Sequence, residues 1–176
     1  GEEISKVMQA VIRDYPGIMW LDYSYSYKKS LIGTTLKLKY TMTENQVNTM
    51  LTQLNQAMNS FLEDISPNLP DDEKVQRIHD KLVQTVVYDS ENENQRNVYG
   101  AIVEHRATCE GYARAMQFLL LKVGIESTVV YGEANEPHAW NLVRLGADYY
   151  WVDATFDDLE LKNGGTFLSR EYLLIT

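Results

Sequence analysis

The 176-residue chain has one cysteine and few basic residues, and each scarcity excludes a class of protein. A single cysteine excludes an intramolecular disulfide, so the residue is either inert or a reactive thiol. Acidic residues outnumber basic ones by 25 to 16, giving a formal charge of -9. This balance, with no Lys/Arg stripe, opposes nucleic acid or an anionic membrane as a partner, because either requires a cationic face.

Long hydrophobic runs are also missing. No apolar stretch approaches the roughly 20 residues of a membrane-spanning helix, so we expect no membrane insertion within this sequence. What is present is ordinary for a globular chain, with 44% hydrophobic and 23% charged residues. That composition and length predict one domain, or one domain with an additional lobe, around a real hydrophobic core.

The N-terminal segment combines a helical pattern with two alternating ones. Apolar residues recur at helical spacing until YPG at 15–17, which predicts a short amphipathic helix. LDYSYSY and TTLKLKY then alternate around a loop that ends in Gly33, a pattern typical of a β-hairpin. The tyrosines predict a half-buried sheet face, with a carbohydrate or peptide platform as the alternative.

A second helix completes this lobe. Thr43 and Gln46 form a capping-box pattern, and the apolar stripe behind them predicts a helix over about 44–65. The proline-flanked SPNLPDD then divides the chain into a helix–hairpin–helix lobe, residues 1–66, and a second domain, residues 71–176. The two could also form one compact unit.

Several polar residues of the second domain have structural interpretations. His79 lies on or beside the apolar face of a predicted helix, which favours a hydrogen-bonded core histidine. SENENQRN at 90–97 predicts a surface loop or the rim of a cleft. Asp157 and Asp158 are predicted turn residues, although they follow the candidate site closely.

Cys109 falls in the first turn of a predicted helix, with Thr108 as its N-cap and Gly124 at its end. Unpaired N–H groups and the positive end of the helix dipole favour a thiolate there, and a nearby N–H can serve an oxyanion. We expect Gly111 to leave room for a substrate chain. Position alone leaves open that the cysteine is a small, inert hydrophobe.

A second hairpin supplies a base. HAWNLVRL and DYYWVD flank Gly146 and Ala147, which predicts a two-residue type II′ turn. In that register Trp140 faces Asp153, and His138 becomes a diagonal neighbour of Asp153 on one sheet face. The carboxylate can then fix the imidazole tautomer, and with Cys109 the parts match a thiol triad. A purely structural polar pair is the alternative.

Three segments carry a family resemblance. TCEGYARAMQFLL, HAWNLV and YYWVDATFDD resemble, in order and spacing, the signature segments of the bacterial transglutaminase-like superfamily, and the likeness covers about residues 71–160. The resemblance implies an α+β, papain-like core in which the cysteine helix packs on an antiparallel sheet, here with the N-terminal lobe added. It implies Cys109 as nucleophile, His138 as base and Asp153 as orienting group.

The resemblance also implies a function. We expect thiol-dependent acyl transfer on protein or peptide amides, as cross-linking or as hydrolysis, with a cell-wall peptide amide as a further possible substrate. The alternative is a non-catalytic binding or scaffold domain at the bacterial cell surface. The resemblance favours an exported or surface-attached protein, and the start at Gly1 leads us to expect an excerpt of a longer chain.

Three aromatic residues are further site candidates. Tyr88 and Tyr99 precede the cysteine and could donate a hydrogen bond to an oxyanion, while Trp140 could shield the His–Asp pair or line the cleft. Core positions are the alternative for all three.

We expect no metal or other cofactor. His105 and Cys109 lie four apart, but no CxxC or HExxH accompanies them, so His105 is interpreted as a solvated or capping residue. NGG at 163–165 lacks the flanks of a phosphate-binding loop and predicts a turn.

Overall fold

The computed structural model describes residues 2–160 and 166–176, so the predicted turn at 163–165 lies outside the described residues. The described helices are α1 Glu2–Asp14, α2 Glu44–Leu62, α3 Asp71–Thr85, α4 Val98–Ile102 and α5 Cys109–Lys122. The described strands are β1 Leu21–Ser30, β2 Gly33–Tyr40, β3 Val87–Tyr88, β4 Arg106–Ala107, β5 Ser127–Ala134, β6 Glu136–Leu145, β7 Asp148–Val152, β8 Asp158–Glu160, β9 Thr166–Leu168 and β10 Leu173–Ile175. None of these helices is long and apolar enough to cross a bilayer.

The predicted helix–hairpin–helix order of the N-terminal segment is confirmed. The capping box at the start of α2 is present, since the Thr43 hydroxyl accepts the Gln46 N–H and the Gln46 side chain accepts the Thr43 N–H. Helix α2 ends at Leu62, three residues before the predicted end, where the N–H of Ile65 donates to Leu62 O and closes a separate turn.

The tyrosine-rich face of the β1–β2 hairpin is more exposed than predicted. Tyr27, Leu36 and Tyr40 are 42%, 40% and 60% exposed, and only side chains nearer the hairpin base, such as Tyr25 and Leu38, are partly buried. The two strands form a sheet of their own among the described residues. Without a neighbouring strand, the ribbon has little surface against which to bury this face.

A four-stranded antiparallel sheet, in the order β10-β7-β6-β5, forms the centre of the second half. Helix α5 packs on the face of β6 that carries Ala139 and Val143, both buried. The predicted β6–β7 register is confirmed, because Leu145 pairs with Asp148 across the turn. Gly146 has a positive φ of 63°, as the first central residue of a type II′ turn requires.

The N-terminal elements contact the same core. Leu54 and Phe61 of α2 belong to the main hydrophobic cluster, together with residues of α3, α4 and α5. The Gln117 side chain of α5 donates a hydrogen bond to Arg13 O, at the end of α1, at 2.8 Å. The end of α1 therefore contacts the helix that begins with Cys109, and α2 shares its hydrophobic core. The division of the chain at residues 66–71 stays a prediction.

Candidate active site

Cys109 is the first residue of α5 and is half-buried. Thr108 occupies the N-cap position as predicted, but its hydroxyl makes no capping bond and donates instead to Gln95 O at 3.3 Å. The Thr108 N–H donates to the same carbonyl at 2.9 Å. The loop that contains Gln95 therefore fixes the start of the cysteine helix.

His138 and Asp153 meet as the hairpin register requires. His138 Nε2 lies 2.6 Å from Asp153 Oδ2, and both side chains are about nine-tenths buried. The His138 side chain also interacts with Cys109 and lowers the pKa of its thiol. Because Nε2 is engaged by Asp153, Nδ1 is the nitrogen left for the thiol, so the carboxylate selects the tautomer and orientation of the base.

The Asp153 carboxylate is held by backbone as well as by His138. Its Oδ1 accepts the N–H groups of Thr155 and Phe156, each at 3.1 Å. The Asp153 N–H in turn donates to Tyr172 O at 2.9 Å, beside strand β10. The turn after β7 therefore presents the carboxylate in one orientation.

Aromatic rings surround the His138 imidazole. Phe156 stacks on it at 4.3 Å between centroids and Trp140 at 5.7 Å. An apolar groove of about 290 Å³ adjoins them. Its lining residues are Ala134, His138, Trp140, Trp151, Asp153, Phe156, Tyr172 and Ile175. A larger cavity of about 640 Å³ lies against α2 and includes none of the Cys-His-Asp side chains in its lining.

The electrostatics favour an ion pair between thiol and imidazole. Burial by itself would raise the pKa of Cys109, but hydrogen bonds from His138 and from the Ala139 and Glu110 backbone lower it overall. Burial would lower the pKa of His138, yet hydrogen bonds with Asp153 and Cys109 raise it to about 9. At neutral pH the two shifts together favour a thiolate beside an imidazolium.

The other predicted site residues occupy different places. Tyr88 lies in β3, where it pairs with Ala107 of β4, two residues before Cys109. Its pKa is raised by burial and by the nearby charges of Cys109 and Glu136. Tyr99 instead donates its hydroxyl to Gln53 Oε1 of α2 at 2.6 Å.

Trp140 lies beside His138 as expected, although its predicted pairing with Asp153 is absent. The β6–β7 ladder ends one pair earlier, at Asn141 and Val152. The chain leaves the strand at Asp153 because that residue begins the turn that holds its own carboxylate.

The expectation that Gly111 leaves room for substrate is wrong. A Cβ at this position would overlap Gln95 O and lie 2.6 Å from Ala107 Cβ. The space above Gly111 is filled by the protein itself. The segment at 90–97 was predicted as a surface loop or cleft rim, and part of it packs directly on the cysteine helix.

Two further predictions concern charged residues. His105 is exposed, in agreement with its interpretation as a solvated residue. Asp157 does lie in a turn, but its side chain is completely buried and hydrogen-bonded to His79, so the simple turn interpretation is incomplete. Within residues 2–160 and 166–176, no three His, Cys, Asp or Glu side chains are grouped to hold a metal ion.

Two aromatic residues of the site, Phe156 and Tyr172, were not predicted from the sequence. Phe156 follows Asp153 by three residues, and a turn that folds back on its own carboxylate would bring it to His138. That spacing was a usable signal. Tyr172 contacts Phe156 at 5.2 Å between ring centroids, from a segment with no local sequence signature.

Comparisons with known proteins agree with this architecture. A family model described as the transglutaminase-like superfamily matches residues 59–156, more than half of the chain, and this segment includes Cys109, His138 and Asp153. A solved structure described as a TGase has a TM-score of 0.53 at 14% identity, over 88% of this chain and 48% of its own.

A candidate cysteine protease from Cytophaga hutchinsonii has a TM-score of 0.50 at 16% identity, over 82% of this chain and 65% of its own. At these identities the likeness concerns the fold. The chain spans less than two thirds of either solved protein. A sequence comparison with curated proteins gives no significant match.

Proposed function

The chain belongs to the transglutaminase-like superfamily, and on that premise we propose that it catalyses thiol-dependent acyl transfer on protein or peptide amides. The observation that carries this proposal is the His138 side chain, which interacts with Cys109 and lies 2.6 Å from the Asp153 carboxylate. A nucleophile, a base and an orienting carboxylate in this order form the arrangement needed for covalent catalysis at a carbonyl.

The first half-reaction forms a thioester. The Cys109 thiolate attacks the amide carbon, and the His138 imidazolium gives its proton to the nitrogen as the C–N bond breaks. Ammonia or an amine leaves, and His138 is left neutral. Negative charge on the carbonyl oxygen would be stabilised by backbone N–H groups of the first turn of α5, with the Tyr88 hydroxyl as a proposed additional donor.

The second half-reaction releases the acyl group. Neutral His138 removes a proton from an incoming amine or water, which attacks the thioester and regenerates the thiolate–imidazolium pair. An amine acceptor gives a cross-link, and water gives hydrolysis. Asp153 stabilises the imidazolium at both stages without itself taking the proton.

The test is to incubate the protein with glutamine-containing proteins and peptides and a fluorescent primary amine. We expect amine incorporation, or else glutamine deamidation or peptide cleavage, each resolved by mass spectrometry. Cys109→Ser is the control, since it leaves the fold but removes the thiol. If the wild-type chain forms no more product than Cys109→Ser over a broad panel, the proposal fails and a binding or scaffold role replaces it.

A further inference from the structure

A second histidine–aspartate pair lies beneath the candidate active site. His79 of α3 is completely buried, and so is Asp157, whose Oδ2 lies 3.0 Å from His79 Nε2. On its other side, His79 Nδ1 lies 3.1 Å from Asp80 Oδ1. Both nitrogens of one buried ring therefore face carboxylate oxygens.

Hydrogen bonds define the charge of the two carboxyl groups that face this ring. Burial would raise the pKa of both carboxyls, but hydrogen bonds lower it overall. At Asp80 these bonds come from Arg170 and His79. At Asp157 they come from His79 and Ser169. Both groups are therefore ionised and can only accept. Each nitrogen of the buried His79 ring therefore lies within hydrogen-bonding distance of an ionised carboxylate.

Asp157 connects His79 to the candidate active site. Its carboxylate accepts the Tyr172 N–H at 3.1 and 3.2 Å, and its own N–H donates to Asp153 O at 3.3 Å. The turn from Asp153 to Asp157 also carries Phe156, the ring stacked on His138. The buried pair thus fixes the far end of the turn that presents the catalytic carboxylate.

Among the described residues, Asp80 has no hydrogen bond to this turn. It lies on α3 itself, and its other partner is Arg170, which donates to it from Nε at 3.0 Å and from Nη2 at 2.6 Å. The two carboxylates on the His79 ring therefore differ in what they support. Asp157 supports the catalytic turn, whereas Asp80 ties α3 to the segment before β10.

We propose that His79 is a positioning residue, which acts through Asp157 to hold the Asp153 carboxylate and the Phe156 ring against His138. A residue at 79 that cannot reproduce the hydrogen bond from His79 would leave the buried Asp157 carboxylate with one partner fewer, and the turn would relax toward solvent. Because catalytic geometry is sensitive to shifts of about 1 Å, such relaxation would weaken the Asp153–His138 contact. The importance of His79 for catalysis rests on the proposed function. The coupling between the His79–Asp157 pair and the Asp153–His138 pair is a property of the folded chain alone.

The test compares His79→Gln and Asp157→Asn with Asp80→Asn, which makes the same chemical change on the other side of the ring. The chain has three histidines, so nitrogen NMR can follow each imidazole separately against pH. We expect His79→Gln and Asp157→Asn to lower the His138 midpoint by about one pH unit or more, because the Asp153 hydrogen bond that raises it is weakened. Asp80→Asn should leave that midpoint within about 0.3 units.

The sign of the His79→Gln effect separates positioning from long-range electrostatics. Replacing His79 by the neutral Gln removes no negative charge, so electrostatics alone cannot lower the pKa of His138, whereas loss of positioning lowers it. The groups that face His138 directly are Cys109 and Asp153, and neither is altered by these variants. A midpoint that rises or does not move in His79→Gln would overturn the proposal.

Equal effects of Asp157→Asn and Asp80→Asn would overturn it too, since they would indicate a general stabilising charge cluster. If Asp157→Asn does not fold, Asp157→Glu keeps the charge while displacing the turn by one methylene, and we expect the same downward shift. These titrations need no substrate. They therefore remain decisive if no acyl transfer is found, and failure of one proposal is distinguishable from failure of the other.

Discussion

Replacing His138 by alanine should lower acyl transfer by about 10⁴–10⁶-fold, to the level that remains in Cys109→Ser. In the proposed mechanism the imidazole protonates the leaving nitrogen, deprotonates the acceptor and stabilises the thiolate, so its loss affects both half-reactions. Groups that act as a unit give strongly non-additive effects. The double variant should therefore be no worse than either single variant, as measured by initial rates of amine incorporation or hydrolysis.

The matched control for this prediction is His105→Ala. It makes the same substitution at an exposed histidine, and we expect a rate within about twofold of wild type because surface changes are usually small. If His138→Ala keeps a tenth of the wild-type rate, His138 is not the base. Thermal unfolding of all the variants verifies that the loss is chemical and not a failure to fold.

Asp153→Asn should lower the same rate by about 10²–10⁴-fold. The native carboxylate accepts from His138 on one oxygen and from the Thr155 and Phe156 N–H groups on the other. An amide has a single acceptor oxygen, so its NH₂ group must face one of these donors. Either the turn or the imidazole loses its partner, and the proton is no longer held on the correct nitrogen of His138.

Asp148→Asn is the control, because Asp148 is an exposed residue at the other end of β7. We expect little change in its rate. Asp153→Asn should also lower the His138 titration midpoint from about 9 toward its ordinary value. A rate for Asp153→Asn within threefold of wild type would assign the residue a structural role alone.

The β6–β7 hairpin that positions His138 could be predicted from sequence because loop length determines register. A two-residue Gly146-Ala147 turn leaves one pairing in which strand alternation places His138 and Asp153 on one face. The helix that begins with Cys109 was equally predictable, since Thr108 and Gly124 mark its ends and an apolar stripe lies between them. These signals are local, because each depends on residues close together in the chain. Long-range packing therefore leaves the predictions based on them unchanged.

The features of the structure that the sequence predicted wrongly or not at all depend on contacts between residues far apart in the chain. The space above Gly111 is filled by the backbone of Gln95, 16 positions earlier, and no periodicity reports such an approach. The burial of Asp157 requires His79, 78 positions away. Strand β10, which covers the edge of β7, is too short for its pattern to differ from a turn.

The central claim is that Cys109 exists as a thiolate paired with protonated His138 across the neutral pH range. Lowering the thiol pKa means that the thiolate is already present below the ordinary cysteine midpoint near ~8.5 and is lost only as the pH falls through the lowered value. Raising the pKa of His138 to about 9 means that the imidazolium persists until the pH rises through that value. The thiolate–imidazolium ion pair is therefore the main form between the lowered pKa of Cys109 and the raised pKa of His138.

The most direct measurement is the ultraviolet thiolate absorbance of the wild-type chain against pH, with Cys109→Ser as the blank, since this sulfur is the only cysteine. We expect substantial thiolate at pH 7 in the wild-type chain, and a midpoint returned to the ordinary cysteine range in His138→Ala. A wild-type midpoint near ~8.5 that does not respond to the loss of His138 would contradict the account.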